Sequence, residues 1–438
     1  MKLFKVIASS VFLRQNAILF ISAAAVGLLN YLFYPVVGRL LDPTSFGEVQ
    51  AIFSLFLQLT IFLTVLSITT VFVVANYKDK KQRNTTVLEL ERVSVWVALS
   101  TVVLTLIFGE WLKSYFKFAS SVPFTILAIL LVVSVPLTFR TAFLRGVHKF
   151  IPSAVANLVS AAGRFVFSLP LVLFGLGAEG ALAGVAIGQA VAMLYSARKS
   201  SQVGLKHPSG VNLWALPNID KIRSELNYSL VVLAGSLALM LQLTIDALVV
   251  KHLFDSHTAG LYAGVVTVAR TIFFLTTPIV MALLPAVKIE SPPGSNRARL
   301  VKSLGLFMAV SLPFLAAMVL FPTQVTIFLM GAKYAPVANL LPMLSVTTFL
   351  ISLLNVVVSY FLALKRNISA MLAIIGLAAT FGLIYFHHGS LQAIVESLFV
   401  GSMVSMSLIA IWVTRERLTS RGSIDETTST IHRDPGAQ

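Results

Sequence analysis

Long apolar runs separated by short polar interruptions dominate the chain. Segments such as VSVWVALSTVVLTLIF (93–108) and FTILAILLVVSVPLTF (124–139) carry no charge. Runs of roughly 20 such residues match the thickness of a bilayer crossed as α-helix. Together with turn signals, the pattern predicts spans near residues 17–37, 48–76, 91–109, 122–143, 151–175, 179–197, 227–250, 259–283, 304–325, 337–363, 367–387 and 390–413. The runs are continuous rather than alternating, which argues against an outer-membrane barrel. Only GLGA (Gly175 to Ala178) separates the fifth and sixth spans, so these two are expected to form a tight helical hairpin. Pro136, Pro170, Pro278, Pro313 and Pro342 fall inside spans, where a missing backbone N–H kinks a helix.

Composition narrows the class further. Hydrophobic residues make up 57% of the 438 positions and charged residues 11%, with a mean hydropathy of +0.89. A soluble domain carries about 25% charged residues, so there is too little polar surface here to cover a water-soluble globule. The fold class is therefore an all-α polytopic membrane protein. A net charge of +16 on a soluble chain would suggest nucleic acid. On this chain the basic residues are read as loops held on the cytoplasmic side, and no nucleic-acid partner is expected. Of the 33 basic residues, only Arg39, Lys113, Lys117, Lys251 and Lys333 fall on the opposite ends and loops. Arg164 and Arg270 fall inside spans, and all the others lie on the side of the termini. Twelve spans with that bias place both termini in the cytoplasm of a cell whose inner or plasma membrane holds the protein. Trp96, Trp111, Trp214 and Trp412 fall near predicted interfaces.

The longest internal polar stretch, Arg198 to Glu225, divides the spans six and six. The organisation expected is an amphipathic cytoplasmic segment (1–16), a first six-helix bundle (17–197), a cytoplasmic linker (198–226), a second bundle (227–413) and a disordered tail (414–438). Met1 to Asn16 is basic and amphipathic, more like an interfacial helix than a cleaved leader. The two halves also share a turn. VVGRLLDPTSFGEVQ (36–50) and VVKHLFDSHTAGLYA (249–263), shifted by 213 positions, share Val36/Val249, Val37/Val250, Leu40/Leu253, Asp42/Asp255 and Gly47/Gly260. Both copies join the first and second spans of a half. An even number of spans returns the chain to its starting side, so the halves are related by a pseudo-two-fold axis along the membrane normal, an architecture of transporters that rock around a central cleft. The two aspartates are most simply turn and helix-capping residues.

Ionisable groups at depth carry the candidate chemistry. Arg164 (AAGRFVF) and Arg270 (VARTIFF) sit near the middle of the fifth and eighth spans, one in each half. A mid-bilayer arginine costs about 2.5–3.5 kcal/mol on insertion scales and must face a cavity or a partner. Two guanidinium groups facing one cleft suit an anion, and the planar fork matches phosphate oxygens. The competing role is a buried pair with a carboxylate. Asp246 (LTIDALVV) and Glu396 (QAIVESLF) are candidates for coupling a proton or sodium ion, or for pairing with an arginine. Asn30, Tyr31, Tyr34, Gln58, Asn157 and Gln242 are polar positions that either line the cavity and bond sugar hydroxyls or join helices. With no cysteine, thiolate metal sites, disulfides and cysteine nucleophiles are excluded. His387 and His388 lack a third ligand, and no nucleotide-binding or metalloprotease motif is present, so neither catalytic residues, metal nor cofactor is expected.

LLDPTSFGEVQAIFSL (40–55), FLRGVHKFIPSAVANLVSAAGRFVFSLPLVLFGLGAEGALAGVAIGQ (143–189), IDALVVKHLFDSHTAGLYAGVVTVAR (245–270) and LMGAKYAPVANLLPML (329–344) resemble polysaccharide-biosynthesis membrane proteins. These are the Wzx-type flippases of lipid-linked oligosaccharides, in the MOP superfamily that also holds the multidrug MATE exporters and the lipid II flippase. The most telling segments are Arg145, Gly146, Lys149 and Phe150 before the fifth span, and Gly331, Lys333 and Tyr334 before the tenth. The resemblance implies a MATE-like, V-shaped pair of six-helix bundles. It implies a cationic cavity for the diphosphate and sugars of a polyprenyl carrier whose tail stays in the bilayer, and partners among glycan polymerase and glycosyltransferase machinery. The lipid II flippase has two additional spans for which this chain has no room, which disfavours a peptidoglycan precursor as cargo. Three other readings compete. A multidrug or organic-cation exporter of the same fold would feature buried carboxylates. A membrane enzyme of glycan assembly would need a larger outer loop than any found here. A scaffold would leave Arg164 and Arg270 unexplained.

Overall fold

The computed structural model describes residues 11–77, 79–204, 212–218, 222–287 and 294–431. Most of the expected N-terminal interfacial segment lies outside the described residues, and from Val11 the chain is already helical. Ten described helices are long and apolar enough to cross a membrane, and a bent pair makes an eleventh. One of the ten is 53 residues long, Phe150–Gln202, and folds back on itself, which brings the count to twelve.

Spans 1 to 6 are Val11–Leu40, Pro43–Asn76, Lys80–Ile107, Val122–Gly146, Phe150–Leu171 and Gly177–Gln202. Spans 7 to 12 are Arg223–Leu253, the pair Ser256–Ala269 with Thr271–Ala286, Ser295–Leu320, Leu341–Ala363, Ile368–Phe386 and Leu391–Ile431. A short helix on the predicted outer side follows span 3 (Gly109–Tyr115) and another follows span 9 (Pro322–Met330). Their matching places are a second trace of the repeat.

The predicted hairpin of spans 5 and 6 turns at Val172–Leu176, where Gly175 (φ 88°) and Gly177 (φ 52°) take conformations open to glycine. Its arms pack through small residues. A Cβ on Gly184 would fall 2.3 Å from the Ser168 Cα, and one on Gly163 would fall 2.6 Å from the Gly188 Cα. Such backbone approach is the usual way helices associate in lipid, where apolar burial gives no driving force. Ser168 Oγ donates to the Ala181 carbonyl at 2.7 Å across the same contact.

Proline does less than the sequence predicts at two places. Pro342 opens span 10 in its first turn, where no backbone N–H is needed. A 41° break in span 8 falls at Arg270 rather than at Pro278. Thr267 and Thr271 turn their hydroxyls back onto the Ala263 and Val268 carbonyls beside the break, a habit that loosens the helical ladder.

The linker does not hang free. Its residues 212–218 lie on span 3. Arg92 donates to the Asn212 carbonyl at 3.1 and 3.2 Å, Trp96 Nε1 to the Ala215 carbonyl at 3.2 Å, and the Asn218 N–H donates to Glu89 at 2.8 Å. Ile222 is buried among Val73, Val87, Leu90 and Phe139. At the other end, the polar stretch from Thr414, expected to be disordered, continues span 12 as helix to Ile431. It contains no proline before Pro435, and an existing helix adds residues at little further cost.

The repeated turn is the same structure twice. Asp42 (φ −66°, ψ 160°) and Asp255 (φ −66°, ψ 158°) are both N-caps. Asp42 accepts the Ser45 N–H at 3.1 Å, and Asp255 accepts those of His257 and Thr258 at 3.0 Å each. One large apolar core takes side chains from both halves, from Phe33, Phe46 and Phe53 to Tyr262, Ile272 and Tyr334. It occupies the ends of the spans remote from the termini. Toward the termini the cores are separate: Ala238, Leu354 and Ala373, or Ile279, Phe307 and Val356, within the second half; Leu63, Ala98 and Val135, or Leu137, Ala156 and Ala192, within the first. Among the described residues, the two bundles thus share an apolar core at the predicted outer face and have separate cores toward the predicted cytoplasmic face.

Candidate functional site

Just beneath the shared core, a cavity lies between the halves. Tyr34, Gln50, Phe53 and Ser54 line it from spans 1 and 2, and Thr244, Thr267, Arg270 and Phe274 line it from spans 7 and 8. Gln50 Oε1, Ser54 Oγ and Arg270 Nε are buried there without a hydrogen-bond partner. Buried polar atoms are nearly always satisfied in proteins, and the cavity, about 20 Å³, has room for a water to complete them. Sequence reading did not single out Gln50 and Ser54. They stand two and three turns inside the repeated turn on one stripe of span 2, a spacing that only a known helix start makes visible.

The two mid-membrane arginines differ. Arg270 is bound: its Nη2 meets Asp246 Oδ1 at 2.6 Å, and the Tyr262 hydroxyl donates to Asp246 Oδ2 at 3.0 Å. Both side chains of the ion pair are about 95% buried, with 5% and 4% exposure. The charge expected to face cargo from the second half is therefore met by an internal carboxylate. Arg164 has no such partner among the described residues. Its guanidinium lies 5.7 Å from the centroid of the Phe53 ring, and its Nε is buried and unbonded. A cation–π contact holds the group in place for about 0.5–2 kcal/mol without cancelling its charge. The Tyr34 phenol stands within electrostatic reach of both guanidinium groups and packs on Phe53 (5.5 Å between centroids) and Phe274 (6.3 Å). Tyr34 thus links the free cation of one half to the neutralised pair of the other.

The remaining predicted positions separate by place. Asn157 is exposed and lies on the face of span 5 that carries Arg164, two turns nearer the termini. Asn30 is half-buried with an unbonded Oδ1. Tyr31 hydrogen-bonds Thr271 across the seam between spans 1 and 8, and Gln58 donates to Thr244 at 3.1 Å across the seam between spans 2 and 7. Under the 213-position shift Tyr31 falls on Thr244 and Gln58 on Thr271, so these are one bond made twice by the pseudo-symmetry. Gln242 bonds Ser402 at 3.4 Å within the second half and joins helices rather than lining the cavity. Glu396 is exposed, accepts from Gln392 at 2.9 Å and does not line the cavity.

Residues 12–288 match the family model described as polysaccharide biosynthesis protein. No curated protein matches the chain. Among solved structures it is similar to a multidrug resistance MATE family transporter of the MOP superfamily in an inward-facing conformation, at 14% identity over 91% of this chain and 95% of that one, with a TM-score of 0.66. It is similar to the lipid II flippase MurJ in an inward closed conformation, at 14% identity over 89% and 87% of the two chains, with a TM-score of 0.65. A MOP superfamily transporter from Pyrococcus furiosus, described by the reverse polarity of its binding pocket, matches at 16% identity over 93% and 95%, with a TM-score of 0.63. At these identities the likeness establishes the MATE-like fold.

Proposed function

The chain belongs to the polysaccharide biosynthesis protein family and is a multi-pass MOP-type transporter, and from that premise we propose that it flips a polyprenyl-diphosphate-linked oligosaccharide from the cytoplasmic to the outer leaflet. The observation that carries the reading is Arg164: a guanidinium at mid-membrane depth, outside the cavity lining but packed on its Phe53 wall, unpaired with any described carboxylate. A diphosphate crossing hydrocarbon would lose its water without replacement. Arg164 replaces part of that water, with Tyr34, Gln50, Ser54 and Asn157 supplying hydrogen bonds for phosphate and sugar. The isoprenoid stays in the bilayer and follows along a seam between the bundles. The termini and the linker face the cytoplasm, as the basic residues predict, and the glycosyltransferases that build the cargo work on that side.

The one apolar core that both halves share among the described residues lies toward the predicted outer face, which supports alternating access from an inward-facing state. The inside-negative potential favours outward movement of an anion by about 2.3 kcal/mol per charge per 100 mV. An organic-cation exporter would need an unpaired acid in the cleft, and the cavity lining includes none. The test is reconstitution in proteoliposomes with a labelled polyprenyl-diphosphate sugar. Arg164→Ala is expected to abolish flipping in a protein that still folds, and Arg164→Lys to retain part of it. Undiminished flipping by Arg164→Ala would overturn the proposal.

A further inference from the structure

At the outer face the halves clasp each other twice, by side chains that do not line the cavity between the halves. Lys117, just past the first outer helix, donates its Nζ to the Leu253 and Phe254 carbonyls at 3.3 and 3.0 Å. These carbonyls end span 7. Lys333, just past the second outer helix, donates to the Arg39 carbonyl at 3.0 Å and to that of Leu41, which end span 1. Leu41 and Phe254 are equivalent under the 213-position shift, so each lysine caps the same helix end of the opposite half. Each clasp is returned. Arg39 donates to the Leu329 carbonyl at 3.0 Å and to that of Phe328, within the second outer helix. Its equivalent, His252, makes a 2.8 Å hydrogen bond through Nδ1 to the Tyr115 carbonyl, at the end of the first, and stacks on the Tyr115 ring at 3.8 Å.

We propose that Lys117 and Lys333 are paired latches of the outer gate, positioning residues that hold the inward-facing state until both release. The chemistry fits a reversible closure. The carbonyls at a helix C-terminus lack intrahelical partners and carry partial negative charge, so each lysine has a fixed, ready acceptor. Lys117 is exposed and its acceptors make exposed hydrogen bonds, and Lys333 is half-buried with one exposed acceptor, the Arg39 carbonyl, and one at the buried Leu41, so water reaches both ammonium groups when the clasp opens. No buried charge is stranded. The two latches stand on either side of the Gly47–Gly260 crossing, so one alone still holds a shared edge.

The inference rests on the alternating-access part of the proposed function, and its test uses no cargo. The chain has no native cysteine, so Ser54→Cys places a single thiol in the cavity beneath the gate. A membrane-impermeant maleimide is added from the outside to whole cells or right-side-out vesicles. The parent is expected to label slowly. Lys117→Gln with Lys333→Gln is expected to label several-fold faster from outside, each single variant by less, and Lys117→Arg with Lys333→Arg to return to the parent rate. Unchanged labelling in the Gln pair would overturn the proposal. So would an equal rise from both sides, or a rise that arginine does not reverse, because each marks general loosening. Should the Gln pair fail to fold, Lys117→Cys with Phe254→Cys tests the same joint: its disulfide is expected to block outside labelling of the cavity and its reduction to restore it, and labelling indifferent to the cross-link would equally refute the gate.

Discussion

Gly47 and Gly260 lie back to back where spans 2 and 8 cross, so close that a Cβ on Gly47 would stand 2.9 Å from the Cα of Gly260. They are the matched glycines of the repeated turn. A residue touches its own equivalent only on a symmetry axis, so this contact marks the pseudo-two-fold at the predicted outer face. The repeat is thus an interface as well as a record of duplication: glycine is required because each copy packs on the other.

Substitution there should separate the halves. A Cβ on Gly260 would fall 1.8 Å from the Pro43 carbonyl oxygen, against 2.9 Å for the tightest contact at Gly47. Neither obstacle is a flexible side-chain tip. Gly260→Ala is therefore expected to lower thermal stability in detergent or to open the outer face to impermeant thiol reagents, and to do so more than Gly47→Ala. Gly27→Ala and Gly305→Ala, where nothing lies within 4 Å of the added carbon, are the controls and should leave both measurements unchanged.

Acid should weaken the second copy of the turn. Hydrogen bonds from Thr258, then His257, hold the Asp255 carboxyl below its usual range. A carboxylate stabilised in the folded state contributes above its unfolded pKa, and the contribution fades as pH falls through the lower folded value. Loss of an N-cap costs about 0.5–2 kcal/mol. Asp255→Ala is therefore expected to be less stable than the parent at neutral pH, and the gap to narrow as pH is lowered below about 4. Thermal melts of both proteins across that range check it; a gap that widens with acid would contradict the capping role.

The twelve spans and the hairpin at GLGA are legible because hydropathy and turn chemistry both depend on local sequence. Arg164 was legible for the same reason, since depth alone makes an arginine conspicuous. The state of Arg270 was not. Whether its charge is free depends on Asp246, 24 positions away on another helix, and both a free and a paired arginine satisfy the same cost of insertion. Lys117 and Lys333 read from sequence as loop charges, because no pattern in sequence reveals that an ammonium group will reach backbone carbonyls of the opposite half. Glu396 looked like a candidate for ion coupling by position along its span, but helical phase places it on the exposed side. The fold follows from periodicity; the site follows from which periodic faces meet.

The two seam bonds should matter for the balance of states more than for folding. Interhelical hydrogen bonds in membranes average about 0.6 kcal/mol, and 1.4 kcal/mol is a factor of ten. Removing Tyr31–Thr271 with Tyr31→Phe, or Gln58–Thr244 with Gln58→Leu, should shift the inward-to-outward ratio by roughly threefold each, and the two together by about tenfold. Distance measurements between spin labels on the outer ends of spans 1 and 7 would read the ratio directly. A shift confined to one seam would show that the pseudo-symmetric bonds are not functionally equivalent.

The Arg270–Asp246 pair makes the sharpest energetic prediction. Breaking a buried ion pair by removing one partner costs about 3–5 kcal/mol, whereas replacing both members is often neutral. Arg270→Gln leaves Asp246 with only the Tyr262 hydroxyl, and Asp246→Asn leaves an arginine charge enclosed at mid-depth. Each single variant is expected to melt well below the parent, and Arg270→Gln with Asp246→Asn to recover most of the loss, because an amide pair can keep a hydrogen bond without a net charge. Transport then separates two roles. If Arg270 serves by bracing span 8 at its break, the stable double variant keeps flipping the labelled lipid-linked sugar through the untouched Arg164, and this is the expected result. A double variant that melts like the parent yet no longer flips would place Arg270 in contact with the cargo, exchanging Asp246 for phosphate during each cycle.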